Sequence, residues 1–147
     1  MNNEAQKKIS LSKIYTKDVS CESPKGVKML LSPMNKPTVV VNVGGKTERI
    51  TETAWEVELS ITVTLKSDDS PMFLVEVYQG GLFECHGLTE EELHRVLNTD
   101  CMEIIFPYAR ETIDGLAVKS GFPPVSLQPV DFTAIYNQAL NDRQEQS

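Results

Sequence analysis

From Trp55 to Leu65 the chain alternates without a break. Trp55, Val57, Leu59, Ile61, Val63 and Leu65 fall on one parity, and Glu56, Glu58, Ser60, Thr62 and Thr64 on the other. Neighbouring side chains in a strand point to opposite faces, so this predicts a strand with one buried and one wet side. Met72–Phe83 repeats the pattern after a KSDDSP turn at residues 66–71. Phe73, Val75 and Val77 should face in, and Leu74, Glu76 and Tyr78 out. Gln79-Gly80-Gly81 suggests a bulge or bend before Leu82-Phe83. Upstream, Val39–Val43 reads as a strand with Val39, Val41 and Val43 on one face, and Gly44-Gly45 suits a hairpin turn. Lys8–Glu22 also reads as extended. There Tyr15, Val19 and Cys21 alternate with Thr16, Asp18, Ser20 and Glu22, and the face with Asp18 and Glu22 should meet water. Residues 23–38 place Pro24, Gly26, Pro33 and Pro37 around Val27, Met29, Leu30, Leu31 and Met34, which predicts a long connection.

A sheet with one apolar face needs a cover, and the next segment supplies it. Thr89 and Glu92 form a capping box, and Glu90, Glu91 and Glu92 suit the positive end of a helix dipole. Leu93, Val96 and Leu97 make one apolar stripe. Ile104, Ile105, Tyr108, Ala109, Ile113, Leu116 and Ala117 make a longer one at helical spacing. Gly121 suits the C-terminal cap. Pro107 predicts a kink or break just before it, and Asn98-Thr99-Asp100 is a second candidate interruption. FPPVSLQP (residues 122–129) reads as an extended linker. Asp131 can cap a last helix carrying Phe132, Ile135, Tyr136, Ala139 and Leu140. Strands followed by helices predict an α+β fold. A four-stranded antiparallel sheet would be covered on one face by a long kinked helix and a shorter C-terminal one. The other face would carry Asp18, Glu22, Glu56, Glu58 and Glu76. One domain is expected over residues 1–147, with 1–8 and 141–147 flexible.

Charge and motif narrow the function. The 147 residues carry 14 basic and 21 acidic side chains, a net charge of -7, which argues against generic nucleic-acid binding. No apolar run approaches membrane-spanning length, so no direct membrane insertion is expected, and the opening MNNEAQKK has no secretory h-region. Cys21, Cys85 and Cys101 read as free thiols in a reducing cytoplasm. Gly44-Gly45-Lys46-Thr47 resembles the end of a phosphate loop. It lacks the glycine five positions before Gly45, where Val40 stands, and the strand-to-helix context. His86, His94, Cys85 and Cys101 show no metal-ligand spacing. No catalytic residue, metal or cofactor is expected, and the chain does not read as an enzyme.

Four strings then carry a resemblance: IYTKDVSCESP (Ile14–Pro24), FLVEVYQGGLF (Phe73–Phe83), IIFPYARETI (Ile104–Ile113) and FPPVSLQPVDF (Phe122–Phe132). In this order and spacing they resemble the bacterial protein-export chaperone family SecB, over nearly the whole chain. The resemblance implies a cytoplasmic homotetramer, a dimer of dimers, that holds unfolded precursor proteins without ATP and delivers them to the ATPase SecA. It implies a SecA-binding surface at Asp18, Glu22, Leu74 and Glu76. It implies a client groove with Phe132, Ile135, Tyr136 and Leu140 facing Met29, Leu31, Met34, Val41 and Val43. Tyr15 and Val19 on the first strand, and Ile104, Ile105, Tyr108 and Ile113 on the long helix, would form the oligomer contacts. Asn35-Lys36 stands where the family often has an aromatic residue, implying a less apolar stretch of groove. A SecB-like chaperone dedicated to one partner, such as an antitoxin, is the alternative; a plain oligomeric scaffold is a third reading.

Overall fold

The computed structural model describes residues 6–146. Four long strands form one antiparallel sheet: β1 (Lys8–Glu22), β2 (Thr38–Arg49), β3 (Ala54–Ser67) and β4 (Ser70–His86), in the order β1-β4-β3-β2. The two most strictly alternating strands, β3 and β4, take the centre. Val57, Leu59, Ile61, Val63, Phe73, Val77 and Phe83 are wholly buried on one face. Each such side chain contributes about 1.5–3 kcal/mol on leaving water.

Helices cover that face. The expected long helix is bent into α2 (Glu90–Asn98) and α3 (Asp100–Lys119). Thr89 and Glu92 make the capping box: the Thr89 hydroxyl accepts from the Glu92 amide at 3.1 Å, and the Glu92 carboxylate accepts from the Thr89 amide at 3.2 Å. The bend sits at Thr99 (φ -122°, ψ -78°), not at Pro107. Pro107 and Glu103 are both exposed, so the Glu103 carbonyl left without an amide partner can be satisfied by water. Gly121 (φ +89°) ends α3, and the Phe122 amide returns to the Ala117 carbonyl at 2.9 Å. A last helix, α4 (Phe132–Glu145), starts at Asp131, whose carboxylate accepts from the Ala134 amide at 2.9 Å.

Several local expectations are revised. β2 does not end at Gly44-Gly45 but runs through both glycines to Arg49, and the turn falls at residues 50–53. A side chain on Gly45 would run into the Met102 methyl of α3, so glycine here permits close approach of helix to sheet. β4 runs unbroken through Gln79-Gly80-Gly81. The irregularities lie opposite it in β1, between Leu11 and Lys13 and between Thr16 and Asp18. The second one shifts the parity, so Tyr15 pairs with Gly80 on the helix-free face and Val19 with Val77 on the helix face. The proline-rich connection holds a short helix, α1 (Val27–Leu30). Of the ends expected to be flexible, residues 1–5 and Ser147 lie outside the described residues. Lys8 already opens β1, and α4 continues five residues past Leu140, to Glu145.

Candidate functional site

Helices approach β2 at Gly45 but leave its Val39–Val43 half open. Val39, Val41 and Val43 share the helix side of the sheet, yet they remain 51%, 39% and 37% exposed. Two adjoining hollows open there, with Val43 as their common wall. One, of about 340 Å³, runs between Val39, Val41, Val43 and Ile61 below and Phe106, Val125, Leu127 and Val130 above. The other, of about 250 Å³, is closed by Met102 of α3 and by Phe132, Ile135, Tyr136 and Ala139 of α4. Together they form an apolar groove along an edge strand, open to solvent.

The expected groove residues divide in this geometry. Val41, Val43, Phe132, Ile135 and Tyr136 line it. Ile135 is half exposed, whereas Phe132 and Tyr136 are buried and hold α4 in place. Leu140 is partly buried one turn beyond Tyr136. Met29 departs from the expectation. It is 5% exposed, belongs to the core cluster, and borders a separate hollow with Pro33 and Met72. Its neighbours Leu31 (80%) and Met34 (38%) stay exposed on the crossover. That crossover is tied to the β3–β4 turn: the Asn35 amide donates to Ser67 Oγ at 3.0 Å, and Ser67 Oγ donates to the Asn35 carbonyl at 3.1 Å.

Sequence reasoning missed the groove's upper wall. Val125 and Leu127 read only as linker, although they are two apart in an extended segment and share a side, and Phe106 and Val130 carried no assignment. It also missed His94, whose Nδ1 lies 2.7 Å from the Tyr136 hydroxyl, with the Arg95 guanidinium 5.3 Å over the same ring. This clasp fixes α4 against α2.

The opposite sheet face is helix-free and acidic. Asp18, Glu22, Leu74 and Glu76 cluster at one end of β1 and β4, where the register sets Asp18 against Tyr78, Ser20 against Glu76 and Glu22 against Leu74. Glu76 accepts from Thr62 Oγ1 at 3.2 Å, and its bond with the Tyr78 hydroxyl raises that phenol's pKa. Among the described residues no basic side chain pairs with Asp18, Glu22 or Glu76. Further along the face, Tyr15 donates to Glu56 at 2.6 Å, and Lys17 reaches Glu56 at 2.8 Å and Glu58 at 3.0 Å. Partial burial and then the Glu56 bond push the Tyr15 phenol up to about 12, while the Lys17 and Tyr15 bonds lower the Glu56 carboxyl.

The expected oligomer contacts need one correction. Ile105 and Ile113 are fully buried against the chain's own sheet and offer nothing to a partner. Ile104 (43%), Tyr108 (44%) and Val118 (56%) line the outward side of α3 instead. On β1, Val19 is 38% exposed on the helix side, and Tyr15 lies on the acidic face.

A further opening, of about 560 Å³, lies at the far end of the sheet between Arg49, Trp55, His86, Leu88, Leu93 and His94. Among the described residues no three His, Cys, Asp or Glu side chains are grouped to hold a metal. Among the same residues no helix is long and apolar enough to cross a membrane.

A four-stranded antiparallel sheet covered on one face by a bent long helix and a C-terminal helix is a fold shared with a solved SecB-like chaperone. A SecB-like chaperone from Mycobacterium tuberculosis, solved with an antitoxin peptide, superposes with a TM-score of 0.67 over 83% of this chain and 90% of its own. At 16% identity, that likeness speaks for the fold alone. Sequence carries the second step. Residues 2–143 match the family described as preprotein translocase subunit SecB. The protein-export protein SecB of Hahella chejuensis is 43% identical over 99% of this chain and 92% of its own length. That of Methylococcus capsulatus is 37% identical over 99% and 94%. The chain therefore belongs to the SecB family of protein-export chaperones.

Proposed function

We propose that this chain is a single SecB-like domain that binds unfolded precursor proteins in the β2–α4 groove. It holds them translocation-competent without ATP, as a cytoplasmic homotetramer, and passes them to SecA. The observation that carries the reading is the half-exposed Val39–Val41–Val43 floor beneath Phe106, Leu127 and Ile135. A folded chain normally hides such a row, and contiguous exposed apolar surface marks a binding site. Extended segments suit a groove along a strand edge, because the edge offers unpaired backbone groups and alternate side chains find the floor.

The acidic end of β1 and β4, with Asp18, Glu22, Leu74 and Glu76, fits a basic partner segment and supports the SecA assignment. The edge of β1 and the outward row Ile104, Tyr108 and Val118 are the surfaces we assign to the two oligomer contacts. An unfolded, reduced client tests the holding role: the protein should suppress its aggregation at stoichiometric ratio and ignore its native form. A protein that leaves aggregation unchanged would remove the holding role. The dedicated-partner alternative draws only on the mycobacterial neighbour, and the 37–43% identity to export proteins favours the export role.

A further inference from the structure

The acidic face is not uniformly acidic. At the Glu76 end stand Asp18, Glu22 and Glu76, and Lys66, the nearest base along β3, forms no ion pair among the described residues. At the other end the signs are mixed. Lys17 bridges Glu56 and Glu58, Lys46 lies 3.8 Å from Glu58, Glu48 sits opposite Glu56, Lys13 sits opposite Leu82, and Glu84 lies 3.5 Å from His86.

Lys17 reaches this position through a break in the β1 register. Thr16 pairs with Gln79 and Asp18 with Tyr78, leaving Lys17 as the extra residue. In an unbroken strand Lys17 and Asp18 would point to opposite faces; the bulge puts both on the acidic one. Its side chain is only 31% exposed, and those of Glu56 and Glu58 are 18% and 12% exposed, so this is a settled ion triad rather than a waving surface lysine.

We propose that Lys17 is a built-in counter-ion: it masks the Glu56–Glu58 end of the acidic face and thereby confines a basic polypeptide partner to the Asp18–Glu22–Glu76 end. The proposal rests on the SecA reading of this face and specifies where on it the partner sits. Glu58 is level with Gly80, and Glu76 lies four residues along β4. At a strand rise of 3.2–3.4 Å per residue Glu76 stands about 13 Å from the level of Glu58, while Asp18, level with Tyr78, stands about 7 Å from it. The longer distance exceeds the screening length of about 8 Å at physiological salt, so the Glu22–Glu76 corner presents its own charge to a docking chain and Asp18 marks the boundary of the masked end. Without Lys17 a second acidic subsite would open and compete for the same basic segment.

The test is the affinity of purified SecA by titration calorimetry at about 50 mM and about 300 mM salt. Lys17→Met and Lys17→Gln should bind about threefold or more tighter at low salt, with the gain mostly gone at high salt. Lys17→Arg should match the wild type. Adding Glu56→Gln and Glu58→Gln to Lys17→Met should abolish the gain. Circular dichroism and size exclusion check folding, and Lys17→Gln keeps a donor toward Glu56 should the methionine variant fold poorly. Glu76→Lys separates the two ideas. If it weakens SecA binding while the Lys17 variants bind no tighter, the mask is overturned and the SecA site stands. If Glu76→Lys has no effect either, the SecA reading falls and the mask with it.

Discussion

Replacing Val39, Val41 and Val43 together by threonine should separate folding from client binding. Threonine keeps the branched shape and the strand preference, so β2 can still form. In the free protein the three valines are 51%, 39% and 37% exposed, which amounts to rather more than one whole valine surface still in contact with water. Complete burial of a valine contributes about 1.5 kcal/mol, so a client closing the groove gains about 2 kcal/mol from these positions. Losing it weakens binding about 30-fold. Stability should suffer less, by about 0.5 kcal/mol per site, because each side chain already sits at the solvent boundary. The assay is a fluorescence titration with a reduced, unfolded client, paired with a thermal melt. A triple variant that melts near the wild type and binds its client within twofold would show that the β2 floor is not the binding surface.

Ile135→Asp puts a charge on the open side of α4 and should impair client holding without unfolding the helix; Tyr136→Phe instead breaks the His94 hydrogen bond and should cost about 1 kcal/mol, read as a lower melting temperature. Tyr108→Asp with Ile104→Asp should dissociate the assembly on size exclusion with little loss of secondary structure. Ile113→Ala should destabilise the protomer by about 3 kcal/mol in denaturant, since its site is fully buried. Burial pushes the Cys101 thiol from 9.0 to about 12, so the folded state keeps its proton where the unfolded chain has lost it. The folded state then binds more protons above about pH 9, and stability should fall as pH rises from about 9 to 12. Cys101→Ala should flatten that fall in denaturant titrations at several pH values, and an unchanged slope would contradict it.

The central sheet was legible because β3 and β4 bury one face completely, and complete burial of one face enforces strict alternation. β1 was legible in extent but not in facing. The extra residues opposite Leu82–Phe83 and Tyr78–Gln79 leave no mark in composition, so Tyr15 and Val19 read as one face and occupy two. Gly44-Gly45 carried a turn signal, but neither glycine has positive φ; Gly45 answers to the approach of Met102, a contact between distant segments, and Gly44 to the Ser60 hydroxyl on the neighbouring strand. The α3 stripe showed apolar residues on two sides, and periodicity could not say which side meets the sheet. Ile105 and Ile113 do; Ile104 and Tyr108 do not. The acidic cluster at Asp18, Glu22 and Glu76 needed only the parity of each strand and the family match. The groove's lining by Val125 and Leu127 depends on where a proline-fixed linker crosses the sheet.

Light scattering coupled to size exclusion, run with and without a reduced, unfolded client, tests the holding role most directly. The expected result is a tetramer that co-elutes with the unfolded chain and ignores its native form. A tetramer that passes the unfolded chain by would contradict the holding role while leaving the fold intact.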